Sequence, residues 1–150
     1  MARIDMRILY SAMILMVVAI PVCWGQSAAV EDTLYVSGKA VIFFGPSQSD
    51  YLSMTDQEKD AIDEELYDFY YYRKKVLPFL ASNAIQEFST ARRQIEIQLD
   101  DSQSLTYFRM DFGRLMGVIF TDGRQAPKIL LGAVAKTELI FLFEEYFGLQ

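Results

Sequence analysis

The sequence of 150 residues contains no histidine and only one cysteine, Cys23. Without an imidazole, the chain cannot build a Ser-His-Asp triad, a Cys-His pair or a histidine-ligated zinc site. One cysteine cannot form an intrachain disulfide or a thiolate metal cluster. We therefore expect no metal site and no cofactor, and these absences favour a protein that is not an enzyme.

Positive charge is also scarce. The chain has 14 Lys and Arg against 20 Asp and Glu, which gives a formal net charge of −6. Proteins that bind nucleic acid present a basic face to the phosphates, and this composition does not supply one. We therefore expect no nucleic-acid partner.

The first 30 residues have the pattern of an export signal. Arg3 and Arg7 precede an uncharged, apolar run over residues 8–30, and small residues suit cleavage after Gly25 or Ala29. We predict a signal peptide over residues 1–25, a polar linker over 26–38 and one domain over 39–150, located in a bacterial periplasm or secreted. The alternative is an uncleaved membrane anchor, since residues 8–24 reach the short limit for a span.

The middle of the chain predicts one buried strand and one long helix. The run KAVIFFG (39–45) is apolar throughout, which is typical of a strand covered on both faces. GPSQSD is read as a loop, and Thr55 with Glu58 forms a capping box that begins a helix. Pro78 is expected to kink or end this helix near residues 74–77. FLASNAIQEF (79–88) is compatible with its resumption.

The segment YDFYYYRKKVLPFL (67–80) carries the best candidate for a binding surface. At 100° per residue, one face of this helix is apolar and comprises Ile62, Leu66, Phe69, Val76, Leu77 and Leu80. Tyr67 and Tyr71 lie on the opposite face, near Lys74 and Lys75, whereas Arg73 projects into the apolar stripe. Exposed aromatics beside cations are favoured at interfaces, although scattered surface tyrosines are the plainer interpretation.

The last third predicts strands followed by a helix. QIEIQL (94–99) alternates polar and apolar residues, as a half-buried strand does. LTYFRM (105–110) is compatible with either a strand or a helix. GVIFTDG and PKILLGA predict a hairpin around Asp122 and Gly123. KTELIFLFEEYFG predicts a closing helix with Phe141 on its wet side and Gly148 as its stop. Its expected inward residues are Leu139, Leu142, Phe143 and Tyr146.

This last third, from GVIF to the closing helix, resembles the C-terminal part of thioredoxin-like domains. KKVLPFL is similar to the main helix of that superfamily, in which a proline follows the active-site pair. The resemblance implies an α/β fold with a central mixed sheet, a long kinked helix and a C-terminal β-hairpin plus helix. An α+β fold with a long helix packed on an antiparallel sheet is the alternative, and it gains if LTYFRM pairs with QIEIQL.

The chain departs from the superfamily at the redox site. Counted back from Pro78, Tyr70 and Arg73 stand where the two cysteines are expected, and Leu115 and Met116 stand where the cis-proline is expected. An additional acidic helical segment covers about residues 55–68. The resemblance therefore implies a redox-inactive member that keeps only the use of its surface for partners.

Two functional hypotheses follow. The first is an exported, non-catalytic module that binds a protein partner, with an inhibitor or immunity protein as an open sub-case. Its contacts would include Tyr67, Tyr71, Lys74, Lys75 and Phe141. The second is a small-ligand binder or hydrolase that uses Arg73 with Asp, Glu and Tyr side chains in a pocket. A buried Arg73 facing an acid would favour the second.

Overall fold

The computed structural model describes residues 32–108 and 116–149. The expected signal segment and its cleavage positions lie outside these residues, as do Arg109 and Met110 of the LTYFRM run. Within the described ranges, no helix combines the length and the apolar character needed to cross a membrane.

The described residues form seven strands and three helices. The strands are β1 (Thr33–Ser37), β2 (Ala40–Phe44), β3 (Gln86–Thr90), β4 (Gln94–Gln98), β5 (Ser104–Phe108), β6 (Gly117–Thr121) and β7 (Lys128–Leu131). The helices are α1 (Gln48–Ser53), α2 (Asp56–Ser82) and α3 (Lys136–Phe147). The fold is therefore of the mixed α/β class.

The strands form two mixed sheets. The first has the order β3-β2-β6-β7, with β2 parallel to β3 and antiparallel to β6. The second has the order β1-β4-β5, with β1 parallel to β4 and β4 antiparallel to β5. Residues 105–108 of LTYFRM pair with residues 94–97 of QIEIQL, which is the pairing that favours the alternative α+β fold. The sheet that contains β2 is nevertheless mixed, whereas the alternative fold has an antiparallel sheet.

The four-stranded sheet forms the middle of three layers. Val41 and Phe43 of β2 point into a cluster with residues of α2 and α3, such as Phe69 and Phe143. Ile42 and Phe44, which alternate with them, point into a second cluster against the three-stranded sheet. Both β2 and β6 are buried at all five positions, which confirms the prediction that KAVIFFG forms a strand covered on both faces.

Several local predictions are confirmed. Glu58 N–H donates to the Thr55 hydroxyl at 3.3 Å and Thr55 N–H donates to Glu58 Oε2 at 2.8 Å, so the capping box begins α2. The β6–β7 hairpin forms, with Asp122 and Gly123 at the start of its loop of residues 122–127, and α3 ends at Gly148 with φ +63°. Leu139 and Phe143 are buried, whereas Leu142 and Tyr146 pack at the edge of the same cluster.

Four expectations need correction. GPSQSD is not all loop, because Ser47 and Asp50 form a second capping box that begins α1. Pro78 does not end the long helix, which runs continuously to Ser82. The end of FLASNAIQEF is not helical but enters β3, which is an edge strand. Residues 33–37 of the segment expected to be a linker form β1.

The helix α2 ends in a Schellman motif built without glycine. Ile85 N–H donates to Leu80 O at 3.0 Å and Ala84 N–H donates to Ala81 O at 3.3 Å. This geometry places Ala84 in the left-handed region, at φ +53°. Because the usual glycine signal is absent, the sequence did not reveal where this helix stops and β3 begins.

Candidate functional site

The two tyrosines predicted to lie on the outer face of α2 form a stacked pair. The ring centroids of Tyr67 and Tyr71 are 6.3 Å apart, and the ring planes differ by 12°. The Lys75 ammonium lies 5.2 Å from the Tyr71 centroid and extends the stack by one turn. The side chains stay accessible, with Tyr67 70% and Tyr71 45% exposed. We call Tyr67, Tyr71 and Lys75 the tyrosine ladder.

The neighbouring tyrosines of the same segment support the core. Tyr72 packs against the cluster between α2 and the four-stranded sheet. Tyr70 makes an edge contact with the buried ring of Phe69 at 5.3 Å, and its hydroxyl approaches Gly45 after β2. Tyr70 therefore lies at the carboxyl end of β2, whereas Tyr67 and Tyr71 stack on each other at the surface.

The charge along α2 changes sign at the ladder. Residues 56–68 contain seven acids and one lysine, whereas residues 69–82 contain Arg73, Lys74 and Lys75 and no acid. Glu64 lies one turn before Tyr67 and Lys74 lies one turn after Tyr71, and both are exposed. Within residues 32–108 and 116–149, neither side chain makes a hydrogen bond or an ion pair. The ladder is therefore flanked by one unpaired charge of each sign.

The acidic half of α2 is held by polar contacts at its edges. Tyr51 of α1 donates to Asp63 Oδ1 at 2.7 Å, and this hydrogen bond to a carboxylate raises the pKa of Tyr51. Glu65 Oε1 accepts from Ala133 N–H at 3.3 Å, which joins α2 to the segment before α3. Hydrogen bonds from the backbone and hydroxyl of Thr55 lower the pKa of Glu58.

Arg73 meets an acid that the sequence did not point to. Its Nη2 lies 2.7 Å from Glu87 Oε1, and its Nε donates to the same oxygen at 2.8 Å. Both side chains are about three-quarters buried, and the guanidinium lies 5.9 Å from the centroid of Phe43. Glu87 was missed because the strand β3 that carries it was missed. Arg73 is therefore largely buried and faces an acid.

Phe141 lies on the exposed side of α3, as predicted, and is 64% exposed. In the part of the chain that the structure describes, it makes no ring contact with another aromatic residue. It is therefore not an extension of the tyrosine ladder by stacking.

A cleft not predicted from the sequence lies on the outer face of the three-stranded sheet. It has a volume of about 300 Å³ and is lined by Tyr35, Val36, Ser37, Glu96 and Gln98. Tyr35 is 62% exposed, and Ser104 donates to Glu96 Oε1 at 2.9 Å. The period-2 alternation of β4 was the available signal, since it places Glu96 and Gln98 on the face away from Ile95 and Ile97.

The described residues hold no group of three or more Cys, Asp or Glu side chains arranged to bind a metal ion. Comparison with protein-family models, with curated protein sequences and with solved structures gives no match.

Proposed function

We propose that this chain is an exported, non-catalytic protein-binding module that docks its partner on the tyrosine ladder of α2. The observation that carries the proposal is the exposed, mutually stacked pair Tyr67–Tyr71. Tyrosine is enriched at interfaces because its rigid ring buries a large area at low entropic cost while its hydroxyl remains hydrogen-bonded. Two such rings held parallel on a helix form a preorganised surface.

The fold component of the proposal is a thioredoxin-like domain without the redox site. It is supported by the order β3-β2-β6-β7, with α2 between β2 and β3 and α3 after β7. The position of Tyr70 beside Gly45 supports the inference that α2 occupies the place of the superfamily's main helix. The β4–β5 hairpin stands where a helix is more often found, so this part of the chain departs from the resemblance.

The test is affinity capture with the chain produced in its native host and recovered from the envelope fraction. We expect the wild type to retain one stoichiometric protein and the Tyr67→Ser/Tyr71→Ser variant to lose it. The matched control is Tyr35→Ser/Phe141→Ser, which removes two comparably exposed aromatics elsewhere and should keep the partner. Both variants should melt within a few degrees of the wild type, since exposed helix pairs contribute only about 0.2–0.5 kcal/mol. Capture that survives loss of the ladder would contradict the proposal.

The second candidate function is binding of a small anionic ligand at Arg73. It is favoured by the largely buried pair with Glu87, because that pair uses Nε and Nη2 of the guanidinium and only one oxygen of the carboxylate. Titration calorimetry with small carboxylates and phosphates tests it directly. Binding that disappears in Arg73→Met but persists in the ladder variant would favour this function over the first.

A further inference from the structure

We propose that the partner on the tyrosine ladder is a second copy of this chain, bound through an antiparallel pairing of the two α2 helices. This inference rests on the proposed function, because it uses the same docking surface. It goes further by naming the partner, its orientation and the residues that meet.

The outer face of α2 presents a continuous accessible stripe. Residues spaced alternately by four and three positions follow one side of a helix. On α2 this stripe comprises Asp60, Glu64, Tyr67, Tyr71, Lys74 and Pro78. All six are exposed. A straight neighbouring helix can therefore lie along the stripe over about five turns.

The stripe is complementary to itself when it is reversed. An antiparallel copy centred on position 69 places Tyr67 against Tyr71 of the second copy, and Glu64 against its Lys74. By two-fold symmetry each contact occurs twice. The rings then meet at the centre, with a salt bridge on either side. A parallel copy would instead place Glu64 against Glu64 and Lys74 against Lys74, which is repulsive.

The charge reversal along α2 favours this occupant over a simple cationic or anionic segment. A uniformly basic partner would be attracted by residues 56–68 but repelled by Lys74 and Lys75. A uniformly acidic partner would be attracted by Lys74 and Lys75 but repelled by residues 56–68. A partner that fits both halves must be basic at one end and acidic at the other, as the same helix is when it runs in the opposite direction. The antiparallel arrangement also aligns the helix dipoles favourably.

The accessible area of the stripe on α2 limits the expected affinity of the dimer. Exposed fractions of 70% and 45% leave roughly 200–300 Å² of tyrosine surface available on each copy. A stable specific interface buries about 800 Å² on each partner, so the ladder supplies a central patch and the charged turns supply the remainder. We therefore expect a weak dimer, with a dissociation constant of about 10–100 µM at low salt.

Reversing the charges at positions 64 and 74 tests the inference. A general loss of stability would not produce the pattern of results expected from these variants. The chain is expressed from its complete sequence and studied by sedimentation velocity and native mass spectrometry up to about 1 mM. Glu64→Lys places a lysine opposite Lys74 of the second copy, and Lys74→Glu places a glutamate opposite Glu64 of the second copy. We expect each variant alone to dimerise at least about tenfold more weakly than the wild type.

An equimolar mixture of the two variants is the decisive sample. In the mixed pair, the lysine introduced at position 64 meets the glutamate introduced at position 74, and the unchanged Glu64 meets the unchanged Lys74. Both contacts become attractive, so a heterodimer should form with near wild-type affinity. Glu145→Lys on the exposed side of α3 is the matched control and should dimerise as the wild type does. Salt should weaken the wild-type dimer, because exposed charges are screened.

Three results would overturn the inference. These are a wild type that stays monomeric up to 1 mM, a dimer that both reversals leave intact, and a mixture that fails to form the heterodimer. The proposed function has a separate readout. A monomeric chain that captures another protein through Tyr67 and Tyr71 would keep that function and exclude the second copy. Loss of that capture in Glu64→Lys but not in Lys74→Glu would identify a cationic partner instead.

Discussion

The two halves of α2 are stabilised in different ways. All buried residues of the helix, namely Phe69, Val76 and Leu80, lie in its second half. In the first half, Ile62 and Leu66 are only partly buried, and capping and side-chain hydrogen bonds fix the segment. The second half of this helix is therefore stabilised mainly by core packing. The first half is stabilised mainly by polar contacts near the surface. The tyrosine ladder lies at the boundary between the two.

The largest expected difference between the halves is in core packing. Leu80→Ala should lower the free energy of unfolding by about 2–5 kcal/mol, because it opens a cavity in a fully buried site. Leu66→Ala removes the same atoms from the partly buried half and should cost less than half as much. Urea unfolding followed by circular dichroism measures both. Equal losses would mean that the first half of α2 depends on core packing as strongly as the second half does.

The Arg73–Glu87 ion pair lies in the second half of α2, and substitutions at these two residues measure its contribution to stability. Arg73→Met keeps the packing of the stem but leaves the Glu87 carboxylate without its partner, so we expect a loss of roughly 1–3 kcal/mol. The double variant Arg73→Met/Glu87→Gln removes both charges and should recover part of this loss. A double-mutant cycle by urea unfolding gives the coupling. A double variant whose loss equals the sum of the single losses would show that the ion pair contributes nothing.

The C-terminal end of α2 offers a stabilising change. Ala84 adopts φ +53°, where a side chain is disfavoured by roughly 1–2 kcal/mol. Ala84→Gly should therefore raise stability by up to about 1 kcal/mol, after the greater chain entropy of glycine in the unfolded state is subtracted. Thermal unfolding measures the change. The reverse design, Gly148→Ala at the left-handed end of α3, should be destabilising, and a stabilised Gly148→Ala would contradict the argument.

The N-terminal end of α2 should give the smallest effect, and only in one pH range. The hydrogen bonds from Thr55 lower the pKa of Glu58 below its ordinary value of 4.5 in the folded chain. Glu58 therefore stabilises the fold above that pH and loses this contribution as the pH falls through the lowered pKa. The melting temperature of the wild type minus that of Glu58→Gln should be positive at pH 7 and should decrease as the pH falls below 4.5. A pH-independent difference would exclude the carboxylate as the cause.

Sequence patterns predicted those parts of the fold whose local chemistry is unambiguous. The apolar runs gave β2 and β6, Thr55 and Glu58 gave the start of α2, and Gly148 gave the end of α3. The strand β3 was missed for two physical reasons. It is an edge strand without a clean period-2 pattern, and Ala84 rather than glycine ends the helix before it.

Only part of the candidate site could be predicted from the sequence. Helical periodicity placed Tyr67 and Tyr71 on the exposed face of α2, because that spacing depends only on local geometry. The Arg73–Glu87 pair depends on the tertiary contact between α2 and β3, and the cleft beside Tyr35 depends on the pairing of β1 with β4. Periodicity carries no information about such contacts.

The pairing of β2 has a consequence for the order in which the chain folds. Its five residues, AVIFF, are covered on both faces in the finished protein, yet both strands that flank them come later in the sequence. Until β6 at Gly117–Thr121 has been synthesised, the apolar strand lacks one neighbour, and long-range strand pairing of this kind is slow. We therefore expect the incomplete chain to be prone to aggregation, and its core to assemble only after most of the protein has been made.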